Sequence, residues 1–74
     1  MTPEQCRKAR TLLNWTTADL ARAAGVSIIT VRSFEEGKIA VERRAPALMQ
    51  RAFEGAGIRF TADDTVHLDA PSSS

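Results

Sequence analysis

A mainly α fold, a bundle of four or five short helices followed by a short β-hairpin, is predicted from three features of this chain. Apolar residues recur at helical spacing through residues 3–56. Asparagine or glycine stands where each helical pattern stops, at Asn14, Gly25, Gly37 and Gly57. After Gly57 the period drops to two. With 74 residues the chain makes one small domain of marginal core, a size at which self-association commonly adds stability.

Thr2-Pro3-Glu4-Gln5 opens the first helix. Thr2 can cap it, Pro3 suits the first helical position, and Gln5 stands three residues after the cap, completing a capping box. Cys6, Ala9, Leu12 and Leu13 then fall at helical spacing, with Arg7, Lys8 and Arg10 on other faces. Asn14 tolerates the left-handed conformation that ends a helix. Trp15, alone in aromatic-poor sequence, reads as a plug between helices and not as a binding platform.

Thr16 and Asp19 form a second capping box, and Leu20, Ala21 and Ala24 present a narrow face that another helix can approach closely. Gly25 ends this helix, and Val26 is expected to be buried at the turn. Ser27 caps the third helix, Val31 and Phe34 point inward, and Gly37 ends it. Residues 38–44 form a charged connector. Pro46 falls in the first turn of a fourth helix, where Leu48, Met49, Ala52, Phe53 and Ala56 make a broad apolar stripe. Met49 and Phe53 read as core, not as a ligand box. Ile58-Arg59-Phe60-Thr61 and Thr65-Val66-His67-Leu68 alternate around Ala62-Asp63-Asp64, a hairpin with Ile58, Phe60, Val66 and Leu68 on one face. So small a hairpin needs either the helical body or a second copy of itself. Residues 69–74 read as a disordered tail.

The net charge of +1 conceals an asymmetry. Residues 1–60 carry all ten basic side chains against six acidic ones, hence +4, whereas residues 61–74 carry Asp63, Asp64 and Asp69 and no base, hence −3. A basic body with an acidic tail suits a polyanionic partner. The single Cys6 excludes an internal disulfide and favours a reducing compartment. Residues 2–10 are polar and charged, unlike a secretory signal, and no apolar run approaches the roughly 20 residues of a membrane span. A cytoplasmic location without a membrane partner is expected. His67 has no triad context, and neither a glycine-rich phosphate loop nor metal-ligand spacing occurs. The chain is therefore expected to be no enzyme and to need no cofactor or metal.

The segment Leu20-Ala21-x-x-Ala24-Gly25-Val26-Ser27-x-x-Thr30-Val31-x-x-Phe34-Glu35-x-Gly37 resembles the helix-turn-helix of Cro- and phage-repressor-type regulators, the xenobiotic-response-element (XRE) family. The likeness extends upstream through Thr2-Pro3-Glu4-Gln5-Cys6-Arg7 and Leu12-Leu13-x-Trp15, and downstream to Ala56-Gly57-Ile58-x-Phe60. It thus covers most of residues 1–60. The resemblance implies a lambda-repressor-like bundle, with the helix-turn-helix unit at 16–37 inside a DNA-binding domain of residues 1–60. It also implies a transcriptional regulator, most simply a repressor or autoregulator, whose third helix enters the major groove.

With Val31 and Phe34 inside, the outward positions of that helix are Ser27, Ile28, Ile29, Arg32 and Ser33, where the resemblance places base contacts. Arg32 can donate two hydrogen bonds to guanine O6 and N7, or serve a phosphate, or remain solvated. Ser33 discriminates poorly among bases. Ile28 and Ile29 can pack on thymine methyl groups, or one can tuck under the second helix; the pair is expected to split, with Ile29 taking the methyl contact. Thr17, Thr30, Lys38, Arg43 and Arg44 are the candidate phosphate contacts, with Arg22 and Arg7 less constrained. At Thr17 many family members carry glutamine; a threonine hydroxyl can bond a phosphate but reaches less far. Glu35 is expected to be a local anchor, bonding backbone or an arginine.

Selecting a genomic site takes two copies of so small a reading head, so a homodimer on an inverted repeat is expected. The hairpin at 58–68 and the Met49/Phe53 helix are the candidate dimer surfaces, with control through concentration, dimerisation or a partner protein. A different reading, an interaction module such as an antitoxin or anti-activator, is kept open by Ile28, Ile29 and the threonine at position 17.

Overall fold

Among the residues described, four helices precede two strands: α1 (Pro3–Leu13), α2 (Thr17–Ala24), α3 (Ile28–Glu35), α4 (Ala45–Gly55), β1 (Ile58–Phe60) and β2 (Val66–Leu68). The computed structural model describes residues 1–38, 43–61 and 65–68. Most of the connector, the tip of the hairpin and the tail lie outside them.

Local chemistry sets the helix boundaries. Thr2 Oγ1 accepts the Gln5 N–H at 3.1 Å, and Gln5 Oε1 accepts the Thr2 N–H at 2.8 Å, a reciprocal capping box with Pro3 beside it. Thr16 and Asp19 repeat the device at α2, and Ser27 Oγ accepts the Thr30 N–H at α3. Asn14 (φ 58°) and Gly25 (φ 74°) adopt the left-handed conformation that turns the chain out of α1 and α2. The N–H groups of Trp15 and Val26 then return to the Arg10 and Ala21 carbonyls, which also accept the Asn14 and Gly25 N–H groups, so each helix end closes on itself. α4 differs: Arg44 stands at its N-cap with helical backbone angles and no side-chain cap.

The core is built where the apolar stripes meet. Cys6 and Ala9 of α1, Leu20 and Ala21 of α2, Val31 of α3, Met49 and Phe53 of α4, Ile58 and Val66 form one buried cluster. Phe53 is its aromatic hub. Its ring stacks on Trp15 at a centroid distance of 5.8 Å and meets Phe60 edge-on at 6.2 Å. Trp15 is accordingly the inter-helix plug the sequence suggests, and Val26 lies half-buried against the same cluster.

β1 and β2 pair antiparallel with Ile58 opposite Leu68, Arg59 opposite His67 and Phe60 opposite Val66. Ile58, Phe60, Val66 and Leu68 therefore share a face, as the alternation requires. The hairpin finds its support in the helical body: β2 packs on α1 and β1 on α4. Strand pairing is one residue shorter on each side than the alternating runs, with Thr61 and Thr65 closing the ladder through a 3.0 Å backbone bond.

Two expectations need correction. Leu12 is 41% exposed. At about 100° per residue it lies roughly 90° from the centre of the Cys6, Ala9 and Leu13 stripe. Met49 and Phe53 are fully buried inside their own chain, so that face of α4 is not a surface for a second copy. Arg7 and Arg10, on other faces of α1 than its apolar stripe, both reach across to Glu35 at the end of α3.

Candidate nucleic-acid interface

The geometry of the site begins at Gly25. Its left-handed turn joins α2 to α3 with only Val26 and Ser27 between it and the new helix. The two helices pack directly on each other through Leu20, Ala21 and Val31. Small residues on α2 allow that close approach.

On α3, burial separates the outward positions. Val31 is fully buried, Glu35 nearly so, and Phe34 packs against the core. Ile28 lies half-buried on the cluster, whereas Ile29 is 70% exposed. Arg32 is exposed, and Ser33 and Thr30 are intermediate. At about 100° per residue, Ile29 and Ser33 sit at the centre of the free face, with Arg32 on one shoulder and Thr30 on the other. The isoleucine pair thus divides as expected.

Ser27 is exposed but its hydroxyl is engaged, accepting the Thr30 N–H at 3.0 Å and sharing a 2.8 Å bond with Thr30 Oγ1. Both hydroxyls face each other across the first turn, which limits what either offers a base or phosphate. Lys38 is exposed and paired with exposed Glu36 at 3.1 Å, so that carboxylate competes with a phosphate for it. Arg43 and Arg44 are exposed beside the uncapped first turn of α4, a place where cations and free N–H groups coincide. Thr17 is half-buried in the first turn of α2. The candidate residues on α3 are brought together on one face. Thr17 lies instead in the first turn of α2, and Arg43 and Arg44 lie before α4.

A cluster behind α3 orients the helix. Glu35 is only 9% exposed, and its carboxylate accepts Arg10 Nε at 2.6 Å and Arg10 Nη2 at 2.8 Å in a bidentate pair. Cys6 Sγ donates to the same carboxylate at 3.2 Å. Arg7 Nη1 donates to the Glu35 carbonyl at 2.6 Å, and Arg10 Nη1 to the Trp15 carbonyl at 3.1 Å. One carboxylate thereby ties the end of α3 to α1, and one guanidinium ties both to the link before α2. The hydrogen bonds to Glu35 raise the already high affinity of Arg10 for its proton, and burial pushes the Cys6 thiol well above its ordinary range. Among the described residues every buried side-chain nitrogen and oxygen has a partner.

Sequence alone marks Glu35 as a local anchor to backbone or an arginine; its partner proves to be Arg10 of α1. A signal was present. Glu35 stands four residues after inward Val31, and Arg10 four residues after inward Cys6, so both lie beside apolar stripes.

Among the described residues no group of His, Cys, Asp and Glu side chains is arranged to hold a metal ion, and no helix is long and apolar enough to cross a membrane. Comparison of the chain with protein-family models gave no match, and comparison with curated proteins gave none.

Proposed function

We propose that this chain is a sequence-specific DNA-binding regulator of the XRE type that occupies an inverted-repeat operator as a homodimer, with α3 in the major groove. The observation that carries this reading is the free face of α3. Ile29 and Arg32 stand exposed, with half-buried Ser33 beside them, immediately after a glycine turn whose preceding helix packs behind them. A helix-turn-helix needs that arrangement: a second helix free to meet base edges and a first helix bracing it. The excess of basic side chains in residues 1–60 adds the long-range attraction such a partner requires.

The dimer would form through the C-terminal hairpin, where Leu68 remains 43% exposed at the end of β2. It would set two copies of α3 about 34–36 Å apart on the operator. Regulation would follow from occupancy, in the cytoplasm. No catalytic role is assigned to any residue.

Selection from a random-sequence duplex pool tests the reading. Enrichment of an inverted repeat, with light scattering showing a dimer on the selected duplex, is the expected result. Failure to enrich any sequence at low salt, together with capture of a stable protein complex, would replace this reading with the interaction module.

A further inference from the structure

We infer that Ile29 reads the C5 methyl group of a pyrimidine in the major groove, beside a guanine read by Arg32. This rests on the DNA-binding reading above and specifies what that site prefers.

The free face of α3 is poor in available hydrogen-bonding groups. The Ser27 and Thr30 hydroxyls bond each other, Ile28 is folded against the core, and Ser33 is half-buried. Within α3 only Ile29, at 70% exposed, and Arg32, which has no ion pair among the described residues, stand exposed. The cation beside the apolar side chain argues for an anionic, grooved partner over an apolar one. Within the major groove the only apolar group on a base edge is the thymine methyl, so that is the feature an isoleucine can complement. Ile29 is the second residue of α3, in the turn that meets base edges when such a helix docks N-terminus first.

Arg32 lies three residues further on. The axial offset is about 4.5 Å at a rise of about 1.5 Å per residue. As i, i+3 neighbours on one helix face the two residues have Cβ atoms about 5–6 Å apart, so their side chains reach adjoining base edges and not distant ones. Arg32 can then take guanine O6 and N7 by two parallel hydrogen bonds while Ile29 covers the neighbouring methyl. Each half-site should accordingly hold a thymine next to a guanine, and 5-methylcytosine should substitute for the methyl-bearing pyrimidine better than cytosine.

The test uses the duplex selected above, with each half-site thymine replaced in turn by deoxyuridine, which removes the methyl and leaves the hydrogen bonding intact. One replacement should weaken binding about fourfold per half-site, the worth of one buried methyl-sized group. In Ile29→Ala the same replacement should change affinity less than about 1.5-fold, because the methyl has lost its partner. Position 29 is exposed, so an unchanged thermal melt of Ile29→Ala is expected and separates a reading defect from a folding one. Arg32→Ala should relax selection at the base pair adjoining the sensitive thymine. If the selected duplex binds but deoxyuridine costs nothing, or costs wild type and Ile29→Ala equally, the inference is overturned and DNA binding stands. If no duplex is selected, both fall together.

Discussion

Replacing Glu35 by glutamine isolates the charge of the cluster that holds α3. The side chain keeps its shape and one acceptor oxygen, but in either orientation places an amide NH2 where a carboxylate oxygen received an Arg10 N–H, and at Oε2 the Cys6 thiol as well. A hydrogen bond to a charged group contributes about 1.5–3 kcal/mol, and removing one partner of a fully buried ion pair costs about 3–5 kcal/mol. Arg10 is 19% exposed and Glu35 9%, so water relieves part of the penalty. The expected cost is about 2–3 kcal/mol. At about 0.05–0.15 kcal/mol per residue the whole domain holds roughly 4–11 kcal/mol, so this is a large fraction. The thermal midpoint should fall by about 10–20 °C, at about 4–8 °C per kcal/mol for a domain of this size. Urea unfolding followed by circular dichroism measures the difference. A cycle with Arg10→Gln cancels the separate loss of the Arg10–Trp15 bond and should leave a coupling of at least about 1 kcal/mol. A Glu35→Gln protein within about 0.5 kcal/mol of wild type, or additive single variants, would refute the assignment of Glu35 as the tie between α3 and α1.

Gly25→Ala should cost about 1–2 kcal/mol through backbone strain alone, since φ is 74° and the space a Cβ would fill is open; Gly25→Asn should cost less, and equal urea midpoints would refute this. Asp19 accepts the Thr16 N–H and lies near Arg22, so its carboxyl sits below its ordinary value. A depressed folded pKa contributes stability above the unfolded value, about 3.9, that is lost as pH falls through the folded one. The gap in thermal midpoint between wild type and Asp19→Asn should therefore hold from neutral pH to about 4 and close below it, and a gap still open in stronger acid would contradict this. Glu36→Gln should free Lys38 from its partner and tighten binding to every DNA sequence alike. Lys38→Ala should weaken all sequences and flatten the slope of log K against log salt by about 0.9, which anisotropy titrations at several salt concentrations would check.

Much of the architecture was legible in the sequence because its signals are local. A cap needs only a hydroxyl and an acceptor three residues on, so Thr2 with Gln5 and Thr16 with Asp19 announce their helices unaided. Left-handed stops at Asn14 and Gly25 follow from steric freedom at single residues. The two-residue period after Gly57 marked the strands, and the register matched the shared face. Even the division of Ile28 from Ile29 follows from their angular offset on one helix.

What the sequence determined by itself about this protein is thus the order and ends of its elements and the outward residues of α3, all set by interactions spanning a few residues. Only the tertiary structure decided how those elements are used. It turned Met49 and Phe53 inward and seated the hairpin on α1 and α4. It left Leu12 outside, committed the Ser27 hydroxyl to its neighbour, and joined Glu35 to Arg10 across 25 positions of chain. The physical reason is that burial and ion pairing depend on which faces meet. A periodic pattern shows that a face is apolar, but its partner is chosen only when the helices pack.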